Sequence, residues 1–180
     1  KAAGVPVDRQ IRLIGRTAQF PNISETIEVL QSEFSEIGLN VKIEMMDTSH
    51  QLEYQLRPFP ENTGPYLLMI MHGNQAGDAA FTMDQYMLSD GPQAAYGTPE
   101  FDKKIRAAEA LNGQQRQEAF AKLFAEEPEE IMQMAYIAHM KGILGKSPRV
   151  DYTPNSATGD EMRLAEMTLA QNGTARTDNS

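Results

Sequence analysis

Hydrophobic residues recur with two different spacings in the first part of the chain, and each spacing predicts a different element. A short apolar run from Ile11 to Ile14 predicts a strand. Between Ile27 and Ile37 the apolar residues return every three or four positions, which predicts a helix with one buried face. From Val41 to Met45 they alternate with charged residues, as in a strand. This order predicts a parallel βαβ unit.

Local signals place the ends of these helices. Asn22, followed three residues later by Glu25, predicts a capping box at the start of the first helix, and Gly38 predicts a left-handed end. Thr48 or Ser49 is the predicted cap of a second, shorter helix. The helices should therefore begin and end within a residue or two of these positions.

The run from Tyr66 to Met71 is apolar at every position, which predicts a strand covered on both faces. The small and polar stretch from His72 to Asp78 follows it directly. Loops after parallel strands meet at one edge of a sheet, where ligands of open α/β folds bind. We therefore expect ligand contacts from this loop, from Gly15 to Asn22 and from Asp47 to Ser49.

The second half of the chain is predicted to be mostly helical. Thr98 before Pro99 predicts a helix start, and Asn112 with Gly113 its end. A further helix should stop before Pro128.

Beyond that helix the pattern is weaker. Residues 131–137 fit either a buried strand or a continuing helix, and we predict a strand. An extended stretch from Pro148 to Pro154, an amphipathic stretch from Glu161 to Leu169 and a polar tail from Gln171 complete the chain.

Composition narrows the possible functions. The chain has 180 residues, 25 acidic and 16 basic, and a net charge of −9, which argues against nucleic acid as a partner. It has no cysteine, and His50, His72 and His139 lie in separate segments without the spacing of a zinc site. We expect no metal, no cofactor and no catalytic residues. The 11 methionines are interpreted as core filling, and the glutamates around Pro128 as solvated.

Four stretches resemble one known family, and they are Ala3-Gly4-Val5-Pro6, Ile37-Gly38-Leu39-Asn40-Val41-Lys42-Ile43, Gly77-Asp78 and Tyr96-Gly97-Thr98-Pro99-Glu100-Phe101-Asp102. Their order and spacing are similar to those of the C-terminal lobe of the extracellular solute-binding proteins, family 5, which serve oligopeptide, dipeptide and nickel importers of the ABC type. The likeness extends over roughly residues 3 to 155.

The resemblance implies an α/β lobe of the periplasmic-binding-protein type II fold, with a mixed, mostly parallel sheet flanked by helices. Residues 1–10 would connect the lobes, 11–150 would form the C-terminal lobe, and 151–180 would be the return segment and polar tail. The implied partners are the N-terminal lobe of the same protein, a small solute such as a peptide, and an ABC permease. The implied location is periplasmic or extracytoplasmic, with or without a membrane anchor.

Two departures from the family affect the choice of solute. His72 stands where family members often carry tryptophan. In peptide receptors of the family an aspartate in this loop pairs with the ligand's amino group, and here that position holds Gln75. A neutral amide pairs less strongly with an ammonium, which weakens a standard peptide assignment.

The predicted ligand-binding residues come from two of these loops: Arg16, Gln19, Phe20, His72, Gly73, Asn74, Gln75 and Asp78. Arg16 is expected to hold a carboxylate, and the polar side chains of the second loop to supply amide and carboxylate contacts. Two alternatives remain open. One is a small α/β enzyme acting on a polar substrate, and the other is an interaction module whose ligand loops have degenerated.

Overall fold

The computed structural model describes residues 8–158 and 162–170. The segment Ala3-Gly4-Val5-Pro6, most of the predicted inter-lobe connection and the polar tail from Gln171 lie outside the described residues. Within them the chain forms two compact units, one made of residues 8–72 and 90–94, and the other of 73–89 together with the described residues from 95 onward. The predicted domain boundaries stay a prediction.

The first unit is built on the predicted βαβ motif, which is confirmed. Strand β1 (Ile11–Arg16) pairs in parallel with β2 (Val41–Met46) on one side and with β3 (Tyr66–Leu68) on the other. Helix α1 (Ile23–Glu36) makes the crossover, and α2 (Thr48–Gln55) follows β2. The predicted α/β class with a parallel sheet and flanking helices is thus confirmed.

One face of α1 packs on the sheet because its apolar residues recur at helical spacing. The core of this unit is an apolar cluster of Leu13, Ile23, Ile27, Val41 and Met69, against which Ile11, Phe20, Leu30, Phe34, Leu39 and Ile43 pack. Gly15 lets the helix approach closely, since a Cβ there would lie 2.8 Å from Ile27 Cδ1. After α1, Gly38 adopts a left-handed φ of 86° as predicted, and Leu39 N–H donates to Phe34 O.

Two predicted caps are wrong. Asn22 precedes α1 but has φ 61°, and its side chain makes no capping hydrogen bond. A capping side chain needs an extended backbone to reach the first turn, so the capping box with Glu25 does not form. At α2 the cap is Asp47 rather than Thr48 or Ser49, and its side chain accepts from His50 N–H.

The third strand is shorter and more exposed than predicted. Only Tyr66–Leu68 pair with β1, and β3 is an edge strand with no neighbour on its other side among the described residues. Leu67 and Met71 each remain 40% exposed, so the strand is not covered on both faces.

The second unit is mainly helical. It contains α3 (Ala79–Thr82), a π-helical turn (Met83–Met87), α4 (Pro99–Glu109), α5 (Gly113–Glu130) and a short antiparallel pair of β4 (Val150–Asp151) and β5 (Thr168–Leu169). Two 3₁₀ turns, Ser156–Thr158 and Leu164–Glu166, complete the described part. The amphipathic stretch predicted up to Leu169 is confined to the second of these turns and β5, and Glu161 lies outside the described residues.

Helix α4 begins as predicted. Thr98 Oγ1 accepts from Phe101 N–H, Pro99 occupies the first turn, and the predicted inward residues Phe101, Ile105 and Ala108 are all buried. Residues 110–112 separate α4 from α5, which begins at Gly113 with φ 57°.

Helix α5 does not stop before Pro128. It continues to Glu130, because Pro128 lies in the last turn, where the loss of one backbone donor does not end the helix earlier. In this turn Glu127 O accepts from the N–H groups of both Ile131 and Met132. The strand predicted at residues 131–137 is absent from this part of the described chain. Met132 has φ 51°, and the N–H groups of Gln133 and Met134 donate to the Glu127 carboxylate instead of to a neighbouring strand.

Two interpretations of residue type need correction. Glu127 is fully buried, and so not all glutamates around Pro128 are solvated. Met69, Met83 and Met87 do fill the core, whereas Met45, Met71 and Met132 are 37%, 40% and 74% exposed.

Candidate functional site

The carboxyl ends of the three parallel strands share one edge of the sheet in the first unit. Arg16 ends β1, Asp47 follows β2, and residues 69–72 follow β3. Thr17 N–H donates to Met46 O at 2.8 Å and Met69 N–H to Ile14 O at 2.8 Å, so the chain segments leave the sheet side by side. This is the edge at which ligands bind in open α/β sheets.

The turn after β1 presents Arg16 at this edge. Gln19 N–H donates to Arg16 O, and Ala18 has a left-handed φ of 59°, so residues 16–19 form a tight turn. Arg16 is half-buried, and its guanidinium has no hydrogen-bond or ion-pair partner among the described residues. Gln19 Oε1 is buried and has no partner among them either. Phe20 packs against the apolar cluster of the first unit, which gives it a structural role.

Several other arginines of the described residues are already paired. Arg12 Nη2 lies 2.6 Å from Glu44 Oε2, Arg57 donates to Ala94 O, and Arg116 Nη2 lies 2.8 Å from Asp78 Oδ1. Arg16 is therefore a half-buried cation whose donors are available to an anionic or carbonyl group.

The second predicted loop is divided between the two units. His72 is half-buried and belongs to the first unit, while Gly73 opens the segment that belongs to the second. The eight predicted residues are thus divided between the two units, and together they remain a predicted site.

Within the second unit, residues 74–78 fold on themselves. Gly77 N–H donates to Asn74 O with Gly77 at φ 63°, and Asn74 Oδ1 accepts from Asp78 N–H at 3.3 Å. Asp78 Oδ1 then caps α3 by accepting from Ala80 N–H. Asn74 and Asp78 thus shape the loop. Gln75 is exposed, and its amide has no partner among the described residues.

Arg116 of α5 holds the far end of this loop. Besides its contact with Asp78, its guanidinium lies over the ring of Phe120, 4.7 Å from the ring centroid. The hydrogen bond from Arg116, followed by that from Ala80 N–H, lowers the pKa of Asp78. The side chains of Arg116 and Asp78 also line an open cleft of about 300 Å³. The other residues that line this cleft are Gly77, Ala79, Gln117, Phe120, Ala121 and Phe124.

The start of α2 carries an exposed pair that the sequence did not predict, the cap residue Asp47 and His50. Asp47 accepts from the backbone N–H and the ring of His50. Both hydrogen bonds lower the pKa of Asp47, and the one to the ring raises the pKa of His50. In the described part of the chain, no group of three or more His, Asp or Glu side chains is arranged to hold a metal ion. No helix there is long and apolar enough to span a membrane.

Solved structures with the same fold are found, although no family model matches the sequence and no curated protein is significantly similar to it. An ABC transporter substrate-binding protein from Sinorhizobium meliloti is 23% identical, with a TM-score of 0.57 over 93% of this chain and 33% of that protein. The chain has the fold of part of an ABC-transporter substrate-binding protein. The resemblance predicted from the sequence is thus confirmed at the level of the fold.

Two further structures agree. The oligopeptide-binding protein AppA from Bacillus subtilis, solved in complex with a nonapeptide, is 14% identical, with a TM-score of 0.54 over 90% of this chain and 32% of its own. A nickel ABC transporter protein from Bacillus halodurans is 16% identical, with a TM-score of 0.51 over 69% and 26%. The chain spans about a third of the length of the first and second of these three substrate-binding structures.

Proposed function

We propose that this chain is the C-terminal ligand-binding lobe of an extracytoplasmic solute receptor, which delivers a peptide-like or other small polar solute to an ABC importer. The observation that carries the proposal is the shared fold, which extends over 93% of the chain in a substrate-binding protein and over 90% in an oligopeptide-binding protein. A fold by itself does not fix a function, so the polar edge of the sheet is the second support.

In this proposal Arg16 and Gln19 are the solute contacts of the first unit, and Gln75 is the solute contact of the second unit, each unit being considered by itself. Arg16 supplies charged donors, the Gln19 amide nitrogen supplies donors, and the exposed Gln75 amide supplies both donors and acceptors. Asn74 and Asp78, which are hydrogen-bonded within their own loop, give that loop its shape. A neutral amide at Gln75 favours a polar solute that does not depend on pairing a free ammonium with an aspartate.

The rest of the receptor would complete the binding site. An N-terminal lobe of the same protein would close over the solute by a hinge motion, and the closed form would be recognised by the membrane permease. Since one lobe carries only part of the contacts, we expect the chain by itself to bind solute weakly or undetectably. Micromolar affinity for a solute in isothermal titration of the chain alone would contradict this arrangement.

The test is native mass spectrometry of the intact receptor that contains this chain, purified gently from the cell envelope. We expect a small polar molecule to be retained, and Arg16→Ala to reduce its affinity about tenfold or more, since a charge-assisted hydrogen bond contributes about 1.5 kcal/mol or more.

Lys122→Ala is the control, because Lys122 is 77% exposed on α5 and pairs only with Glu126 among the described residues. Retention that is equal in both variants would rule out a solute contact at Arg16. A receptor that retains nothing and instead turns over a substrate would rule out the transport role.

A further inference from the structure

The loop of residues 74–78 is tied to the helical core of the second unit through one arginine. Arg116 Nη2 donates to Asp78 Oδ1 at 2.8 Å, while Asp78 Oδ1 also accepts from Ala80 N–H at 2.9 Å. A single carboxylate oxygen therefore receives one bond from α5 and one from the start of α3. The backbone of Asp78 completes the connection, because its N–H donates to Asn74 Oδ1.

The arginine is itself held in place. Its guanidinium lies over Phe120, whose ring centroid is 4.7 Å away, and Phe120 is only 2% exposed. Stacking on a buried ring restricts the rotamers of a long side chain, so the guanidinium reaches Asp78 with little further loss of conformational freedom. The Arg116 side chain is 25% exposed and that of Asp78 43%, which leaves the pair partly shielded from solvent.

We infer that Arg116 is a positioning residue, which sets the conformation of the loop that presents Gln75. This inference rests on the proposed function, in which Gln75 contacts the solute and Asp78 does not. In the absence of Arg116, Asp78 would still cap α3, but the loop would lose the ion pair that connects it to α5. The loop would then open more often, and Gln75 would spend less time in its binding orientation.

Hydrogen exchange of the 180-residue chain tests this inference without any ligand. In Arg116→Ala we expect the backbone amides of Gly77, Asp78 and Ala80 to exchange roughly three- to tenfold faster, while amides near Phe101 and Ile105 in α4 keep their rates. Asp78→Asn should give a similar acceleration, because it retains a capping oxygen and removes the charge. Arg116→Lys, which keeps the charge but not the planar stack, should give rates between those of Arg116→Ala and those of the original chain.

Lys122→Ala serves as the matched control on the same helix and should leave the loop rates unchanged. Loop rates in Arg116→Ala and Asp78→Asn that equal those of the original chain would overturn the inference. Acceleration that extends equally to α4 would also overturn it, because Arg116 would then stabilise the unit as a whole.

A second measurement keeps this inference separate from the proposed function. Trialanine is titrated to millimolar concentration into the intact receptor that contains this chain, and the amide resonances of residues 74–78 are followed by NMR. Shifts in the original chain that shrink in Arg116→Ala would support both conclusions. Accelerated exchange without any trialanine-dependent shift would support the positioning role and count against a peptide-like solute.

Discussion

At the scale of single residues, the polar side chains of the second unit divide into those that hold the backbone and those that remain available. Glu127 shows the first kind: it is fully buried, and its Oε1 accepts from the N–H groups of Gln133 and Met134. Buried carboxylates are costly unless hydrogen-bonded, and Glu127 Oε1 is hydrogen-bonded as the acceptor that closes the end of α5.

Removing this carboxylate should destabilise the chain. Glu127→Ala leaves two backbone N–H groups without their acceptor, and we expect a loss of about 1–3 kcal/mol in the free energy of unfolding, measured by urea denaturation. Glu127→Gln keeps a carbonyl oxygen and should lose less. The control is Glu129→Ala on the exposed side of the same turn, which should change stability by less than about 0.5 kcal/mol. Equal losses at residues 127 and 129 would show that Glu127 does not organise this turn.

At the scale of elements, the stretch Tyr96 to Asp102 that carries the family resemblance builds the start of α4. Thr98 caps the helix, and Phe101 in its first turn is buried. Both carboxylate oxygens of Asp102 accept from Ser89, one from its N–H and one from its hydroxyl. The stretch is therefore a structural signature. Its residues secure α4 against the preceding segment and make no contribution to the proposed solute contacts.

Gly97 in this stretch is predicted to be intolerant of a side chain. A Cβ there would lie 2.6 Å from Ser89 Cα, a backbone atom that cannot move aside alone. We expect Gly97→Ala to lower the free energy of unfolding by about 1–3 kcal/mol, the usual cost of overpacking, and to lower the thermal midpoint accordingly. Gly145→Ala is the matched control, since a Cβ at that position would meet no described atom within 4 Å. Similar midpoints for the two variants would mean that the Ser89 contact is not tight.

At the scale of the whole molecule, ion pairs in both units make stability depend on pH. Hydrogen bonds from Arg12 and Arg116 lower the pKa values of Glu44 and Asp78, respectively. A carboxyl whose folded pKa is depressed stabilises the fold above its unfolded value and loses that contribution as the pH falls through the folded pKa. The exposed His50 has the opposite sign, because Asp47 raises its pKa, and its contribution is lost as the pH rises through that raised value.

We therefore expect the free energy of unfolding to fall as the pH drops from about 5 toward 2. Glu44→Gln should flatten this decline by up to about 1 kcal/mol, because the pair with Arg12 is partly exposed and its contribution is reduced by solvent screening. The measurement is urea denaturation at pH values from about 2 to 8, with Glu129→Gln as the control. An unchanged acid slope in Glu44→Gln would exclude this pair as a source of the pH dependence.

The distribution of exposed apolar residues is also a property of the whole molecule. Among the described residues, eight of the eleven large hydrophobic side chains that are more than half exposed lie after residue 131. These eight are Met132, Tyr136, Ile137, Met140, Ile143, Met162, Leu164 and Leu169. Helices and strands cover little of this region in the described chain. The strand predicted at residues 131–137 does not form. A strand needs a neighbouring strand to pair with, and the local sequence does not show whether such a neighbour exists.

The sequence by itself determined the elements whose signals are local. These signals are the apolar spacing in α1 and β2, the glycine after α1, and the threonine and proline of α4. Each of them depends only on neighbouring residues of the same element, so these elements could be predicted without coordinates. The family resemblance likewise came from consecutive residues in order, and the fold agrees with it.

Only the tertiary structure decided which polar groups already have hydrogen-bond or ion-pair partners. Arg116 meets Asp78 across 38 positions and Arg12 meets Glu44 across 32, and contacts between such distant residues leave no periodic pattern. The availability of Arg16 and the burial of Glu127 are likewise properties of the three-dimensional structure.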